Sequence, residues 1–160
     1  MGKLTDACWN RFSTSFWVGV PLAVVLSGPT PLYARDLADG IVQGTTAQGY
    51  GLMSGGVGIE ARNQMMERAN PYDLKLSFAD RAGDYLSDVK VAIEDERGQR
   101  IVDTTAAGPW FYAELPAGKY DIKATFNNRA EEIKNVAIAK GDPVARLLHW
   151  NVEDRWIAHR

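Results

Sequence analysis

The stretch that decides the fold is residues 108–126, GPWFYAELPAGKYDIKATF. Its last seven residues, 120–126, alternate apolar side chains with polar ones. A period of two sends one set of side chains inward and the other to water, which is typical of a half-buried β-strand. The Leu-Pro-Ala-Gly segment at 115–118 is a turn. The aromatic run Trp110, Phe111 and Tyr112 before that turn predicts a second strand.

Short apolar segments of this kind continue on both sides of the stretch. They predict seven strands, at residues 74–78, 89–93, 101–105, 110–113, 120–126, 133–138 and 147–150. Turn residues such as Gly98, Asn127 and Asn128 separate the strands, with no helical pattern between them. Parallel pairing would need long crossover connections. The pattern therefore predicts a mainly β fold, a seven-stranded antiparallel immunoglobulin-like sandwich over residues 71–151.

The segments that flank this domain have different compositions. Residues 35–58 are rich in glycine and predict a flexible lead-in, and residues 152–160 predict a loose polar tail. Residues 59–70 predict one short helix that ends before Pro71. Ile59, Met66 and Ala69 recur on one face of that helix, with Met65 beside them. The charged residues Glu60, Arg62, Glu67 and Arg68 are expected to face solvent.

The first 34 residues have the layout of a secretory signal peptide. Residues 12–26 are an almost uncharged apolar stretch of 15 residues, shorter than the roughly 20 that a membrane-spanning helix needs. Helix-breaking residues follow, and Ala34 precedes a charged pair, so cleavage is predicted after Ala34. An uncleaved membrane anchor is the alternative. The signal peptide implies that the mature domain is periplasmic or secreted. Cleavage also removes Cys8, the only cysteine, so the mature domain is expected to be free of disulfides.

The aromatic run and the turn after it resemble the Gly-x-aromatic and Leu-Pro-x-Gly-x-Tyr signature of carboxypeptidase regulatory-like domains. The resemblance covers about residues 72–150 and implies a prealbumin-like (transthyretin-like) sandwich. It implies that the first aromatic residue points into the core and that the tyrosine after the glycine packs beside it. The residues in these signature positions are Trp110, Tyr112, Leu115, Gly118 and Tyr120. Such domains accompany peptidases, outer-membrane receptors and carbohydrate-binding proteins without being catalytic, and a shared fold does not transfer an activity.

No group of residues in the sequence predicts catalysis or metal binding. His149 and His159 are interpreted as surface residues, which leaves a nucleophile without a nearby base. Three carboxylates, Asp80, Asp84 and Asp88, lie in one polar segment and are interpreted as a solvated loop. The glycines at 55, 56 and 58 precede a helix but lack the Lys-Ser/Thr pair of a phosphate loop, so they indicate a hinge. No catalytic residue, cofactor or metal ligand is therefore predicted.

The aromatic strand is the candidate binding feature. Alternation places Phe111 on the face opposite to Trp110 and Tyr112, so Phe111 either contacts a partner or lies beneath the helix. The leading hypothesis is a non-catalytic periplasmic accessory or binding module that contacts an envelope protein or polymer. The alternatives are a carbohydrate-binding module of the starch-binding-like type and, third, a hydrolase. A net charge of -2 argues against nucleic acid as a partner, and no membrane span is expected after cleavage.

Overall fold

The computed structural model describes residues 40–151, which form two β-sheets and one helix. The strands are β1 (Val42–Thr45), β2 (Gly51–Gly55), β3 (Leu74–Asp80), β4 (Lys90–Asp95), β5 (Arg100–Thr105), β6 (Trp110–Ala113), β7 (Gly118–Phe126), β8 (Arg129–Ile138) and β9 (Val144–Trp150). The helix α1 spans Gly58–Glu67. The predicted signal peptide with Cys8, and the tail with His159, lie outside the described residues.

The mainly β, two-sheet architecture with one helix is confirmed, but two details of the prediction are wrong. The described residues contain nine strands rather than seven, in a five-stranded sheet of order β1-β2-β6-β3-β9 and a four-stranded sheet of order β5-β4-β7-β8. The sheets are also not wholly antiparallel, because β3 and β9 pair in parallel from Leu74↔Val144 to Asp80↔Trp150. The chain between these two strands runs through all four strands of the other sheet, which supplies the long connection that a parallel pair needs.

The two additional strands lie in the glycine-rich stretch that the composition predicts to be a flexible lead-in. β2 pairs with β6 from Leu52↔Ala113 to Gly55↔Trp110, and β1 pairs with β2. The pairing supplies hydrogen-bond partners to a backbone whose own strand propensity is weak. Tertiary contact with the aromatic strand therefore orders a segment whose composition indicates irregular structure.

The main hydrophobic core lies between the two sheets. The inward side chains of β3, among them Phe78, meet residues of β4, β7 and β9 there. Trp150 is buried, with its ring centroid 6.1 Å from that of Phe78 and 6.2 Å from that of Phe126. Its indole Nε1 donates a hydrogen bond of 3.0 Å to the backbone oxygen of Arg129. This bond joins β9 to the start of β8 and closes one side of the sandwich.

A second hydrophobic cluster lies on the outer face of the five-stranded sheet, beneath α1. It consists of Ile41, Met53, Ala61, Met65, Ala69 and Tyr112. Ala61 and Met65 are four residues apart, so they lie on one face of the helix, and Ala69 follows just after the helix ends. The sequence-based helical face is therefore wrong for two residues, since Ile59 is 72% exposed and Met66 is 54% exposed. Within residues 40–151 no helix has the length and apolar composition to cross a membrane.

Candidate functional site

Strand β6 places its three consecutive aromatic side chains on two faces, as alternation predicts. Trp110 and Tyr112 were expected to face the main core and Phe111 the opposite side, but the structure shows the reverse. Phe111 is 1% exposed and lies between the sheets. Trp110 and Tyr112 point outward and join the cluster beneath α1. Phe111 is thus neither open to a partner nor covered by the helix. The first aromatic of the signature, Trp110, does not point into the main core.

The outward aromatic side chains form a row across the face that carries the helix. The rings of Trp110 and Tyr112 stack with centroids 6.2 Å apart and planes inclined by 20°, and the ring of Tyr72 lies 6.1 Å beyond. The Lys75 ammonium is 5.8 Å from the centre of the Tyr112 ring. Burial raises the pKa of the Tyr112 phenol above its ordinary value. Most of this row is therefore part of the helix packing rather than an open platform.

A glycine allows the chain to pass over this row. A Cβ atom at Gly56 would lie 3.2 Å from Cγ of Trp110 and 3.3 Å from its Cβ. Gly56 also has a φ of +86°, a conformation that other residues rarely adopt. The segment between β2 and α1 is therefore fitted to the Trp110 ring, which explains the glycine there without invoking a phosphate site.

The remaining signature residues form the reversal between β6 and β7. Leu115 is 2% exposed and Tyr120 is 5% exposed, and both belong to the core between the sheets. The Tyr120 hydroxyl donates a hydrogen bond of 2.9 Å to the backbone oxygen of Pro116. Burial raises the pKa of the Tyr120 phenol, and nearby carboxylate and phenol groups add to the shift. Gly118 begins β7 at the end of this turn. The signature residues therefore fix a turn and do not form a site.

The exposed large hydrophobic side chains of the described residues all lie on the side of the five-stranded sheet that carries the helix. We call this set the α1 face; it consists of Val57, Ile59, Met66, Tyr85 and Leu147. The Arg62 guanidinium lies 5.3 Å from the centre of the Tyr85 ring, which connects the loop after β3 to the helix. Leu147 pairs with Ser77, which in turn pairs with Trp110, so Leu147 lies in line with the aromatic row.

The α1 face does not follow from the sequence pattern as a whole, although part of the pattern indicates it. In β9 the buried residues are Leu148 and Trp150, and Leu147 and His149 alternate with them and are exposed. Strict alternation would have placed Leu147 outside. The exposure of Ile59 and Met66 depends on how the helix sits on the sheet, which the helical period alone leaves open.

His149, Asp80, Asp84 and Asp88 do not come together as a reactive cluster. His149 is exposed on β9. The backbone N–H of Asp84 donates a hydrogen bond of 2.8 Å to Oδ1 of Asp80, which shapes the turn after β3. The backbone N–H of Asp88 donates to the backbone oxygen of Ala106 over 3.1 Å. In the part of the chain from 40 to 151, no three His, Cys, Asp or Glu residues are placed to hold a metal ion.

The outer face of the four-stranded sheet differs from the α1 face because it is covered by paired charges. Arg100 contacts Glu94 and Asp103 at 3.0 Å each, and Lys123 contacts Glu132 at 3.0 Å. The hydrogen bond from Lys123 lowers the pKa of the Glu132 carboxyl, and the bond to Glu94 raises the pKa of Arg100. These exposed pairs contribute little to stability. They keep this face hydrated, whereas the large exposed hydrophobic side chains lie on the α1 face.

Comparison with known proteins identifies no relative: no protein-family model matches the chain, and no curated protein sequence matches it. The class of protein that the described residues define is a two-sheet β-sandwich with one packed helix. One face of it carries the exposed large hydrophobic side chains, beside charged residues of α1, and the opposite face carries paired charges.

Proposed function

We propose that the protein is a non-catalytic, exported accessory module whose α1 face binds a protein of the cell envelope. The observation that carries the proposal is that the exposed large hydrophobic side chains of residues 40–151 all lie on one face of the domain. Contiguous apolar surface on a soluble domain is typical of an interaction site, whereas single exposed hydrophobic residues need no explanation. Its separation from the charged face gives the module one preferred side for docking.

The composition of the α1 face favours a protein partner. Ile59 and Met66 are seven residues apart, so they lie on the same side of α1 and present a short apolar ridge. Tyr85 with Arg62 adds an aromatic ring and a guanidinium at one end, and both groups are enriched at protein interfaces. Burying this surface yields roughly 25 cal/mol per Å². An apolar face of a partner therefore gains more from this surface than a hydrated polymer does.

The test is capture of envelope proteins by crosslinking in cells that express the full-length protein or its variants. We expect Leu147→Glu and Met66→Glu to lose the partner, because each places a charge on the α1 face at a side chain that is already half exposed. Ala137→Glu is the matched control, since Ala137 is exposed on the outer face of the four-stranded sheet. Capture of the same proteins by all four forms would refute the proposal.

Carbohydrate binding is the second candidate, and it now depends on Tyr85 rather than on Phe111. Tyr85 is 53% exposed, and its ring could stack on a sugar, whereas Phe111 is buried. Retention on a polysaccharide that Tyr85→Ala abolishes and Leu147→Glu leaves unchanged would favour this candidate over the protein partner. Turnover of a substrate that is lost in His149→Ala would overturn the non-catalytic proposal altogether.

Export and family membership are part of the same proposal. Export is supported by the apolar N-terminal segment and the break before Ala34. The intact mass of the protein recovered from the periplasm should match a chain that begins at Arg35, and a membrane-bound form that keeps residues 1–34 would refute export.

Membership of the carboxypeptidase regulatory-like domains is supported by the Leu-Pro-x-Gly reversal. In that reversal Leu115 and Tyr120 are buried and the Tyr120 hydroxyl holds the turn. A crystal structure whose strand order differs from that of those domains would refute the assignment.

A further inference from the structure

A groove of about 470 Å³ opens between the two sheets on the side where β1 and β5 are the edge strands. From the five-stranded sheet it is lined by Val42, Gly44, Leu52 and Phe111. From the four-stranded sheet it is lined by Lys90 and by residues 103–105 of β5. The core between the sheets, which is closed on the opposite side by Trp150, is therefore open here.

The groove exists because one sheet is a strand wider than the other. On the closed side, β9 lies against β8, joined by the bond from Trp150 to Arg129. Counted from that side, the five strands of one sheet meet four strands of the other, so β1 has no strand opposite it. Gly44 also pairs with Leu52 of the core, so the position that faces inward at the centre of β1 has no side chain.

Strand β1 differs in charge from the other three edge strands. The sequence of β1, VQGT, has no charged residue, whereas β5, β8 and β9 all contain charged residues. Charged side chains are a usual protection of a sheet edge against pairing with another strand. Within residues 40–151, no strand pairs with the outer edge of β1 or of β5. The least protected edge therefore lies directly above the open part of the core.

We propose that a second copy of this chain completes the sandwich, with β1 of each copy entering the empty place beside β5 of the other. A two-fold axis parallel to the strands brings the wider sheet of one copy into line with the narrower sheet of its partner. The two overhanging strands then cover each other's grooves, and both free edges of each copy become paired. The same surface is used on both sides, as a closed two-fold dimer requires.

The charges at the groove fit this occupant. Lys90 at its rim lies 3.8 Å from Asp103, Asp103 also contacts Arg100, and Arg100 contacts Glu94. The two positive and two negative charges balance, so the groove favours an uncharged strand. β1 is such a strand, with Val42 and Gly44 on its inward face. A four-residue strand is only about 14 Å long. The contact between β1 of one copy and β5 of the other is made twice in the dimer. Even so, its buried area lies at or below the low end of the areas of stable dimer interfaces, so we expect a dissociation constant that is micromolar or weaker.

Sedimentation of the purified full-length protein over a range of concentrations tests the proposal. We expect a monomer–dimer equilibrium, with dimer predominating near ~0.1 mM if the dissociation constant is micromolar. Gly44→Lys places a charge on β1, and Thr104→Lys places one on β5, the two strands that meet in the dimer. Each should raise the dissociation constant of the dimer by about a hundredfold or more. Ala137→Lys carries the same charge on the outer face of the four-stranded sheet and should leave the dimer unchanged.

The possible results distinguish the proposed dimer from the proposed binding of an envelope protein at the α1 face. Leu147→Glu should leave the dimer intact, so loss of an envelope partner and loss of the dimer are independent outcomes. A wild-type protein that stays monomeric overturns the proposal, whether or not its groove binds an added extended peptide. A dimer that persists in Gly44→Lys and Thr104→Lys, both shown to be folded by their urea transitions, also overturns it.

Discussion

Replacing Phe111 by alanine tests whether this aromatic residue belongs to the core or to a binding surface. Its side chain is 1% exposed and packs among core residues of both sheets. Truncation of a buried phenylalanine to alanine costs about 3–5 kcal/mol. Phe111 also lines the groove under β1, so water or a neighbouring side chain can enter part of the space left behind. We therefore expect the low end of that range, about 3 kcal/mol.

Urea unfolding followed by circular dichroism measures this loss. At a slope typical of small domains, a loss of about 3 kcal/mol lowers the unfolding midpoint by about 1 to 3 M urea. The thermal midpoint should fall by about 12 °C for a domain of this size. Leu147→Ala, at a side chain that is 51% exposed, is the control and should change the free energy of unfolding by less than about 0.5 kcal/mol. A loss below about 1 kcal/mol in Phe111→Ala would show that the core placement is mistaken.

Three further predictions concern the turn, a close backbone approach and the buried phenols. Gly108→Ala should lower the free energy of unfolding by about 3 kcal/mol, because a Cβ there would lie 2.6 Å from the backbone carbon of Gly55; a loss under about 1 kcal/mol in urea would contradict this. Tyr120→Phe should cost about 1 kcal/mol through loss of the hydrogen bond to Pro116, measured in the same way, and an unchanged midpoint would count against that bond. Burial raises the pKa of three tyrosines above 10.0, namely Tyr72, Tyr112 and Tyr120. The stability they contribute is therefore fully present below about pH 10 and lost as the pH rises through their folded-state pKa values, so urea midpoints should fall only as the pH is raised above about 10; a constant midpoint would refute the assignment.

The sequence was sufficient for the strands whose pattern is local. The alternation at 120–126 corresponds to β7, with Tyr120, Ile122 and Ala124 buried, and a helix occurs where the glycine-free segment before Pro71 predicts one. It was insufficient for β1 and β2, whose residues are weak strand formers. β2 is ordered by pairing with β6, about 60 residues later in the chain, and β1 in turn pairs with β2. No local window of sequence contains the pairing with β6.

The sequence by itself determined that the domain is mainly β and that Phe111 lies on the opposite face of its strand from Trp110 and Tyr112, because a strand alternates its side chains whatever its surroundings. Only the tertiary structure decided which of those faces is the interior. Both faces of β6 are covered, one by the second sheet and the other by α1, so hydrophobicity alone could not distinguish them. The tertiary structure also decided which apolar surfaces no helix or strand of residues 40–151 covers, namely the α1 face and the groove under β1.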